Sequence, residues 1–467
     1  MPATRLIVLE FNELTPSLLE EFISIGALPN FGRFYRESAV YTTDAGEEGR
    51  QLNPWVQWVT AHTGLSSEEH RVYHLDEGHE LEQPRVWEIL SDLGKRVWVC
   101  GSMNTRCAES LNGWVLPDPW AVSSDPYPSD VGLDAYYRFV STQVQEHTNE
   151  TIPLGKWDYV RFVRFMMWHG LSLQTITSIV MQFAREWLSG NGKWKRAVIL
   201  DKLQFDLFQS VFRESNPDFS TFFVNSVAHF QHTFWRHMDP APFKHQPSEG
   251  EREEFQDAIL YGYRAMDTLL GRFMDLAGDN VTLVFTTALS QQPCVIYEET
   301  GGKKFYRARD LEAAVRFAGV TSWVELAPVM SEQFRVRFAD PAQAEAASAL
   351  LDAVSVNGHP LLAAGREDET SVFSGVQIFD DIPEDATLRN GAGERRPFSE
   401  LFYQADGMKS GMHHPDGALW IRGTDGRRHH RVYEEKVALR ALAPTLLRMF
   451  GVDPPPYMTA APLDLEH

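Results

Sequence analysis

The chain has 467 residues, of which 43% are hydrophobic and 23% charged, the composition of a globular protein long enough for two or three domains. Its net charge of -21 argues against a nucleic-acid-binding surface, because such a surface needs clustered Lys and Arg to displace counterions from phosphates. A small anionic substrate is still compatible with this charge, since a local pocket can be positive on an acidic protein.

The cysteines and the amino terminus bear on the cellular compartment of the protein. Cys100, Cys107 and Cys294 are odd in number and lack the spacing of a disulfide framework or a metal site, which favours a reducing environment. The first residues, MPATRLIVLEF, resemble no secretory signal, and no run of about eighteen apolar residues could span a bilayer. We therefore predict a cytoplasmic protein with no membrane partner. The oligomeric state is left open.

The first elements alternate between strand and helix. Residues 5–11 predict a buried strand, and Thr15-Pro16 begins a helix that continues to Ile25. Glu10 and Asn12 lie two residues apart and project from the same face of that strand at its carboxyl end. The same rhythm continues with strands at 39–43 and 96–100 and helices at 54–63 and 86–93. Residues 134–214 then predict aromatic-rich helices that cover one side of a sheet.

The segment TFFVNSVAHFQHTFWRHMDP at 221–240 is the strongest candidate for a site. Its apolar run, from Phe222 to Val227, predicts a strand, and a helix from Ala228 carries His229 and His232 on one face. Sites in open parallel sheets lie at the carboxyl ends of strands, where these histidines fall. The pair taken alone favours the simpler interpretation of hydrogen-bonded histidines in an aromatic core.

The remaining elements define the fold class. A helix at 261–276 and a strand at 281–287 extend a doubly wound, mostly parallel α/β sheet. The rhythm changes between 301 and 395, where an alternating strand at 333–338, a helix at 341–351 and strand pieces up to Phe379 predict an inserted α+β cap. We predict an exit linker at 386–396, and the core as residues 1–300 and 396–467, ending with a strand at 418–422 and a helix at 437–450.

Several motifs in order resemble those of the alkaline phosphatase superfamily, in particular its phosphodiesterase, nucleotide pyrophosphatase and sulfatase-like branches. These motifs are LIVLEFNELTP, ALPNFGRFYRESA, WVQWVTAHTGLSSEEH, the 221–240 segment, SGMHHPDGALWI and LAPTLLRMFGVDPPPYM. The resemblance implies a two-metal phosphoester or sulfoester enzyme with a Ser or Thr nucleophile.

The site residues depart from that pattern. Asn12 stands in place of the first-strand Asp, Asn53 or Pro54 in place of the nucleophile, and Ala228 in place of the Asp of D-x-x-x-H. The segment at 288–290 replaces Asp-His-Gly. Of the residues that the resemblance implies as ligands, His232 and His413 remain.

These losses predict a different metal content. Two divalent cations about 4 Å apart repel strongly and need anionic oxygens between them, so a dinuclear zinc centre is not expected. One divalent transition metal, zinc or iron, fits the remaining imidazoles, with His232, His413 and His229 as ligands and Glu10 as a further candidate.

Three functions remain open at this point. The first is an enzyme that acts on or transfers a phospho- or sulfo-ester group of a small, nucleotide-linked or other anionic substrate through a mononuclear or metal-free site. The second is a catalytically silent binding or scaffold protein of this fold, and the third is a two-His metal site that performs non-hydrolytic biosynthetic chemistry. We lean towards catalysis and expect the following residues to take part: His229, Asn12, Asn53 and Ser290 in catalysis, and Glu10, Glu13, Trp58 and His414 in substrate binding.

Overall fold

The computed structural model describes residues 5–49, 51–75, 77–106, 111–120, 133–145, 155–329, 332–378, 381–383, 385–424 and 428–465. Cys107 and Phe379 lie outside these ranges. Cys100 and Cys294 are buried free thiols.

A nine-stranded sheet forms the centre of the molecule, in the order β20-β2-β19-β6-β1-β5-β3-β4, with β21 paired to β2. Its pairings are parallel except for those of β19 with β2 and β6. Helices flank it, so the predicted fold class is confirmed. The strands are β1 Leu6–Phe11, β2 Ala39–Asp44, β3 Val97–Cys100, β4 Gly113–Leu116, β5 Phe219–Val224, β6 Thr282–Thr286, β19 Asp416–Arg422, β20 Arg431–Val432 and β21 Val437–Ala438.

Alternating strand residues face two separate apolar cores on the two sides of the sheet. Leu9 and Phe222 point into one core with the aromatic residues of the long helices, and Val8 and Phe223 point into the other with Trp58. The helices outside the inserted region are α1 Pro16–Ser24, α2 Pro29–Arg36, α3 Pro54–Thr63, α4 Ser67–His70, α5 Val86–Asp92, α6 Asp134–Gln145, α7 Lys156–Trp168, α8 Leu173–Ser189, α9 Ala197–Ser215, α10 Ser226–Met238, α11 Glu249–Phe255, α12 Ala258–Ala277 and α16 Leu442–Met449.

The region after β6 forms small antiparallel sheets. The first pairs β7 Ser290–Pro293 with β18 Gly411–His414, and the second pairs β8 Lys304–Ala308 with β17 Phe402–Met408. The inserted region has its own apolar core, built from residues between Tyr306 and Phe402. Its other elements are β9 Glu325–Pro328, β10 Gln333–Arg337, β11 Ser355–Val356, β12 His359–Pro360, β13 Leu362–Arg366, β14 Ser371–Val376, β15 Thr387–Arg389 and β16 Arg395–Pro397, with α13 Leu311–Ala318, α14 Pro341–Asp352 and α15 Phe398–Leu401. The domain division at 301 and 396 stays a prediction.

Three predicted elements are wrong in detail. Residues 386–396 contain the antiparallel pair β15 and β16 rather than a linker. The final helix begins at Leu442, because Val437–Ala438 pairs with the edge strand β2 instead. Val227 belongs to α10, which begins at Ser226, and not to the strand before it. None of the described helices combines the length and apolar character needed to cross a bilayer.

Candidate metal centre

β1 lies between β5 on one side and β6 on the other, and the chain turns at the carboxyl end of β1. Asn12 and Glu13 follow β1, and Asn225 with α10 follows β5 at the same edge. Ligands of open α/β sheets bind at the carboxyl ends of the strands, and we call the space at this end of β1 the crevice.

Glu13 is held firmly in an unusual backbone conformation. Its φ of 62° lies in the left-handed region, which costs a residue other than Gly on the order of 1 kcal/mol or more and therefore needs support from its surroundings. That support comes from three amides: Asn12 donates to Oε1 at 2.9 Å, Gln291 to Oε2 at 2.5 Å, and Gln231 to the backbone carbonyl at 2.7 Å. The turn and the three amides together fix a buried carboxylate at the end of the strand.

His232 extends from α10 towards that carboxylate. Its Nδ1 lies 3.0 Å from the carbonyl oxygen of Gly411, so Nδ1–H donates there and Nε2 points the other way. Nε2 lies 3.2 Å from Oε2 of Glu13. The side chain is 33% exposed, which leaves the nitrogen accessible from the crevice.

His413 approaches the same oxygen from β18. Its Nε2 lies 3.6 Å from Oε2 of Glu13, and its ring centre lies 5.1 Å from that of His232. β18 pairs with β7 so that His413 stands opposite Gln291, which donates to the same carboxylate. The His413 ring also hydrogen-bonds the backbone carbonyl of Leu52, which brings the amino-terminal end of α3 beside the cluster.

The protonation states of the cluster follow from its environment. Burial alone would raise the pKa of Glu13, but positive charge at His413 and His232 and hydrogen bonds from His232 and Gln291 lower it to about 2. Burial lowers the pKa of His413 to about 4, and Glu13 only partly opposes this effect. At neutral pH the cluster therefore has a carboxylate anion and a neutral imidazole at His413.

These groups have the chemistry of a cation site. The ligand atoms of Glu13, His232 and His413 all lie within 4.8 Å of one another, and in the described part of the chain they are the one group of three or more His, Cys, Asp or Glu that converges in this way. A carboxylate oxygen that faces two ring nitrogens can be bridged to them either by a proton on a nitrogen or by a bound cation. Two His and one Glu with open positions is a donor set found for zinc and for non-haem iron.

A lysine adds positive charge next to this cluster. Burial lowers the pKa of Lys409, with Lys303 acting in the same direction and Cys294, Glu332 and Glu13 opposing. Lys303 in turn forms an ion pair with Glu332 at 2.8 Å within the inserted region, and its carbonyl accepts from the backbone N–H of Lys409. Nothing in the spacing of Lys409 sets it apart in the sequence, and our prediction missed it.

Four of the predicted residues come together, although not always in the predicted roles. His232 and His413 converge, and Glu13, which we predicted to bind substrate, is the third member of this donor group. Asn12 lies beside them but is buried, and its amide contacts Glu13, Asn225 at 2.7 Å and the Trp58 indole at 2.8 Å. Asn12 therefore positions Glu13 and has no free amide group to donate to a substrate.

Glu10 and Trp58 are corrected by their burial. Glu10 is 0% exposed and accepts from Ser102 Oγ at 2.7 Å while contacting His62 Nε2 at 2.8 Å. It lies one strand step below Asn12 and does not reach the crevice. Trp58 is also 0% exposed and packs edge-on against Phe223, so neither ring face is open to a substrate.

His229, Ser290 and His414 point away from the cluster. His229 is exposed on α10 and lies outside the ligand group, because its ring points outward while His232 turns towards β18. Ser290 and His414 stand opposite each other, one residue from Gln291 and His413, so the pleat places them on the other face of the small sheet. Asn53 caps the amino terminus of α3 and follows Leu52, which contacts His413.

The fold is thus an open α/β sheet with a three-residue donor cluster at the carboxyl ends of its central strands. No protein-family model matches the chain, and no curated protein matches its sequence. Solved structures do match it. Wild-type alkaline phosphatase PafA is 12% identical with a TM-score of 0.50, over 99% of this chain and 98% of that one.

Two further structures cover nearly the whole chain. Murine ectonucleotide pyrophosphatase/phosphodiesterase 5 is 10% identical with a TM-score of 0.45, over 97% of this chain and 96% of that one. Phosphonoacetate hydrolase from Sinorhizobium meliloti 1021, in complex with phosphonoformate, is 12% identical with a TM-score of 0.42, over 98% and 96%. The match to the alkaline phosphatase shows that this chain shares the fold of that enzyme, in agreement with the fold that the motifs predict.

Proposed function

We propose that the protein is a metal-dependent enzyme that hydrolyses or transfers a phospho- or sulfo-ester group of a small anionic substrate. One observation carries the proposal: Glu13, His232 and His413, from three distant parts of the sequence, converge at the carboxyl edge of the central strands. The shared fold with an enzyme named as an alkaline phosphatase supports the substrate class.

The ion that suits this donor set is a single zinc or ferrous ion. Two imidazoles and one carboxylate leave coordination positions open for water or substrate, which is the arrangement of catalytic rather than structural zinc. When bound, such an ion lowers the pKa of water and polarises phosphoryl oxygens.

The residues of the chain supply binding and orientation. Lys409 gives the crevice a positive charge, and the amino terminus of α3 beside His413 adds partial positive charge that favours an anion. Asn53 stands at that terminus, where the resemblance implies a hydroxyl nucleophile. Because an amide is not a nucleophile, we assign Asn53 to donating a hydrogen bond to the substrate and assign the attack to water or a second substrate.

The donor set also favours a second candidate function. Two His and one carboxylate are the ligands of non-haem iron enzymes, so the same cluster would suit a non-hydrolytic reaction that depends on ferrous iron. The two candidates differ in the ion that supports turnover.

The test combines metal analysis with turnover. We expect purified protein to bind about one divalent ion per chain, and the zinc- or iron-loaded form to hydrolyse bis(p-nitrophenyl) phosphate, p-nitrophenyl sulfate or a nucleotide sugar. His232→Ala should lose both ion and turnover, whereas the matched variant His359→Ala, an exposed histidine on β12, should keep both. A protein that binds no ion refutes the proposal. Ion binding without hydrolysis of any ester favours the non-hydrolytic candidate.

Lys409→Gln tests substrate binding separately. We expect the KM for an anionic ester to rise about tenfold or more with little change in ion content, because the variant removes a charge but no metal ligand. An unchanged KM would remove Lys409 from the site.

A further inference from the structure

The helices α7 and α8 form an outer layer with an apolar surface that no other described part of the chain covers. Their inner residues, including Phe162, Phe165 and Met166, are buried in the core beside the central sheet. Their outer residues are different. Of the 21 large hydrophobic side chains exposed in the described part of the chain, 13 lie between Trp157 and Leu188.

The exposed residues of α8 form a continuous stripe. They recur at intervals of three and four residues, which places them on one face of the helix. Two residues that follow this spacing, Trp187 and Val180, are 86% and 61% exposed. The stripe consists of Leu173, Ile176, Val180, Phe183 and Trp187.

The neighbouring helix adds to this surface. Trp157, Val160, Met167 and Trp168 on α7 are each more than half exposed. An apolar surface of this extent is uncommon on a monomeric protein and marks a place of contact with another apolar phase or molecule.

Charge decides between the possible occupants. Residues 156–196 contain seven Lys and Arg against two Asp and Glu, in a chain whose net charge is -21. Basic residues beside a face of Trp, Phe, Leu and Met are the composition of helices that lie in the interface of an anionic bilayer. A second copy of the chain would place this basic region against itself across a two-fold axis, which like-charge repulsion disfavours.

We propose that residues 156–196, which contain α7 and α8 and which we call the basic hairpin, dock on the surface of a bilayer that contains anionic phospholipids. The helices lie on the surface and do not cross it, in agreement with the absence of a membrane-spanning helix among the described residues. The proposal replaces our sequence-based expectation of no membrane partner and does not depend on the proposed function.

The carboxyl end of the basic hairpin packs against α10. Trp194 lies 5.7 Å from Phe230 and 5.8 Å from Phe234 between ring centres, and both rings belong to α10, the helix that also carries His232.

Vesicle flotation tests the proposal. We expect the full chain to float with phosphatidylcholine vesicles that contain phosphatidylglycerol, to float much less with pure phosphatidylcholine, and to dissociate as salt is added. Val180→Glu/Trp187→Glu should reduce the bound fraction about tenfold or more. The matched double variant Ile25→Glu/Leu93→Glu changes two apolar residues that are 64% and 57% exposed outside the hairpin, and should bind as the wild type does.

A charge variant gives a second readout. Arg161→Glu/Arg164→Glu keeps the apolar stripe and should weaken binding to the anionic vesicles by about tenfold or more, while circular dichroism and the melting temperature stay the same. No flotation of the wild type, or equal flotation of the wild type and Val180→Glu/Trp187→Glu, would overturn the proposal. A dimer that becomes monomeric in that variant, without any vesicle binding, would also overturn it and assign the surface to contact between copies.

Discussion

Two carboxylates three residues apart, Glu10 and Glu13, are both buried and both contact histidines, yet their surroundings differ. Glu10 lies within the sheet, where His62 and Ser102 contact its two oxygens and His62 is itself 5% exposed. All of these groups are enclosed by protein. A buried Glu-His contact of this kind is a structural element, because no open position remains for an ion or substrate.

Glu13 lies one turn beyond the strand and faces two imidazoles instead of one. His232 and His413 are 33% and 18% exposed, and both direct a nitrogen towards the same carboxylate oxygen. The two carboxylates are almost equally buried, and both contact histidine. What distinguishes the candidate site is that two imidazoles converge on one carboxylate and that both imidazoles are partly accessible from outside.

The largest expected effect comes from removing the charge of Glu13. Glu13→Gln removes the anionic ligand of the cluster, and we expect affinity for zinc to fall more than about 100-fold, with turnover lost, because even outer partners of metal ligands contribute about 10–100-fold. A chelator competition titration measures the affinity. Glu369→Gln, at an exposed position, is the matched control. Equal affinities in the two variants would contradict the assignment.

The corresponding change at Glu10 should act on stability. Glu10→Ala leaves His62 and Ser102 buried without their partner, and we expect the free energy of unfolding to fall by about 3–5 kcal/mol. Urea unfolding measures this loss, and zinc affinity of the folded fraction should be unchanged. Glu10→Gln, which can still hydrogen-bond both partners, should lose less. A change in zinc affinity without a change in stability would place Glu10 in the site.

A smaller effect is expected from the amide that orients Glu13. Gln291→Leu removes the 2.5 Å hydrogen bond to Oε2 but no ligand, so zinc affinity should fall about 10–100-fold. Isothermal titration with zinc checks the value against Gln343→Leu, a change at an exposed glutamine on α14. An affinity equal to the wild type would show that the turn alone fixes the carboxylate.

The smallest expected effect comes from changing a third buried carboxylate, that of Asp201. Burial raises its pKa to about 7, against a hydrogen bond from Ser226 and the charge of Lys202. Because the pKa of Asp201 is higher in the folded than in the unfolded state, Asp201 contributes stability that is fully present below about pH 4. This contribution is lost as the pH rises through 7. Asp201→Asn should therefore flatten the pH dependence of the unfolding free energy over this range. Urea titrations at several pH values test it, with exposed Asp92→Asn as a control that should keep the wild-type slope.

Much of the fold could be predicted because its local signals agree with its packing. Helix α3 was predicted at its observed ends, Pro54 and Thr63, because proline begins it and Gly64 ends it in the left-handed conformation. The error at 437–441 has a tertiary cause, since pairing with the edge of β2 overrides helical propensity there. The Gly-rich composition of 386–396 likewise concealed a hairpin.

The site could be predicted only in part. His232 and His413 followed from motifs, and their convergence agrees with the expectation that they share one site. The place of Glu13 among the converging donors was not predicted, because its positive φ turns the side chain out of the strand's alternation, which no pattern in the sequence shows. The feature of the sequence that did point to Glu13 was its position directly after the first strand. His229 was misplaced because a spacing of three residues leaves two side chains about 60° apart around a helix axis.

Gly411 accepts the hydrogen bond that orients His232, and it also determines how closely β18 can approach α10. A methyl group at this position would lie within 2.5 Å of the Gln231 carbonyl oxygen and closer still to Oε1 of Gln291. Any larger residue would push the strand and the helix apart, and with them the two imidazoles. The distance between the two imidazoles therefore depends on how closely β18 packs against α10, which is possible because Gly411 has no side chain. The missing side chain of Gly411 is as necessary to the cluster as the side chains that form it.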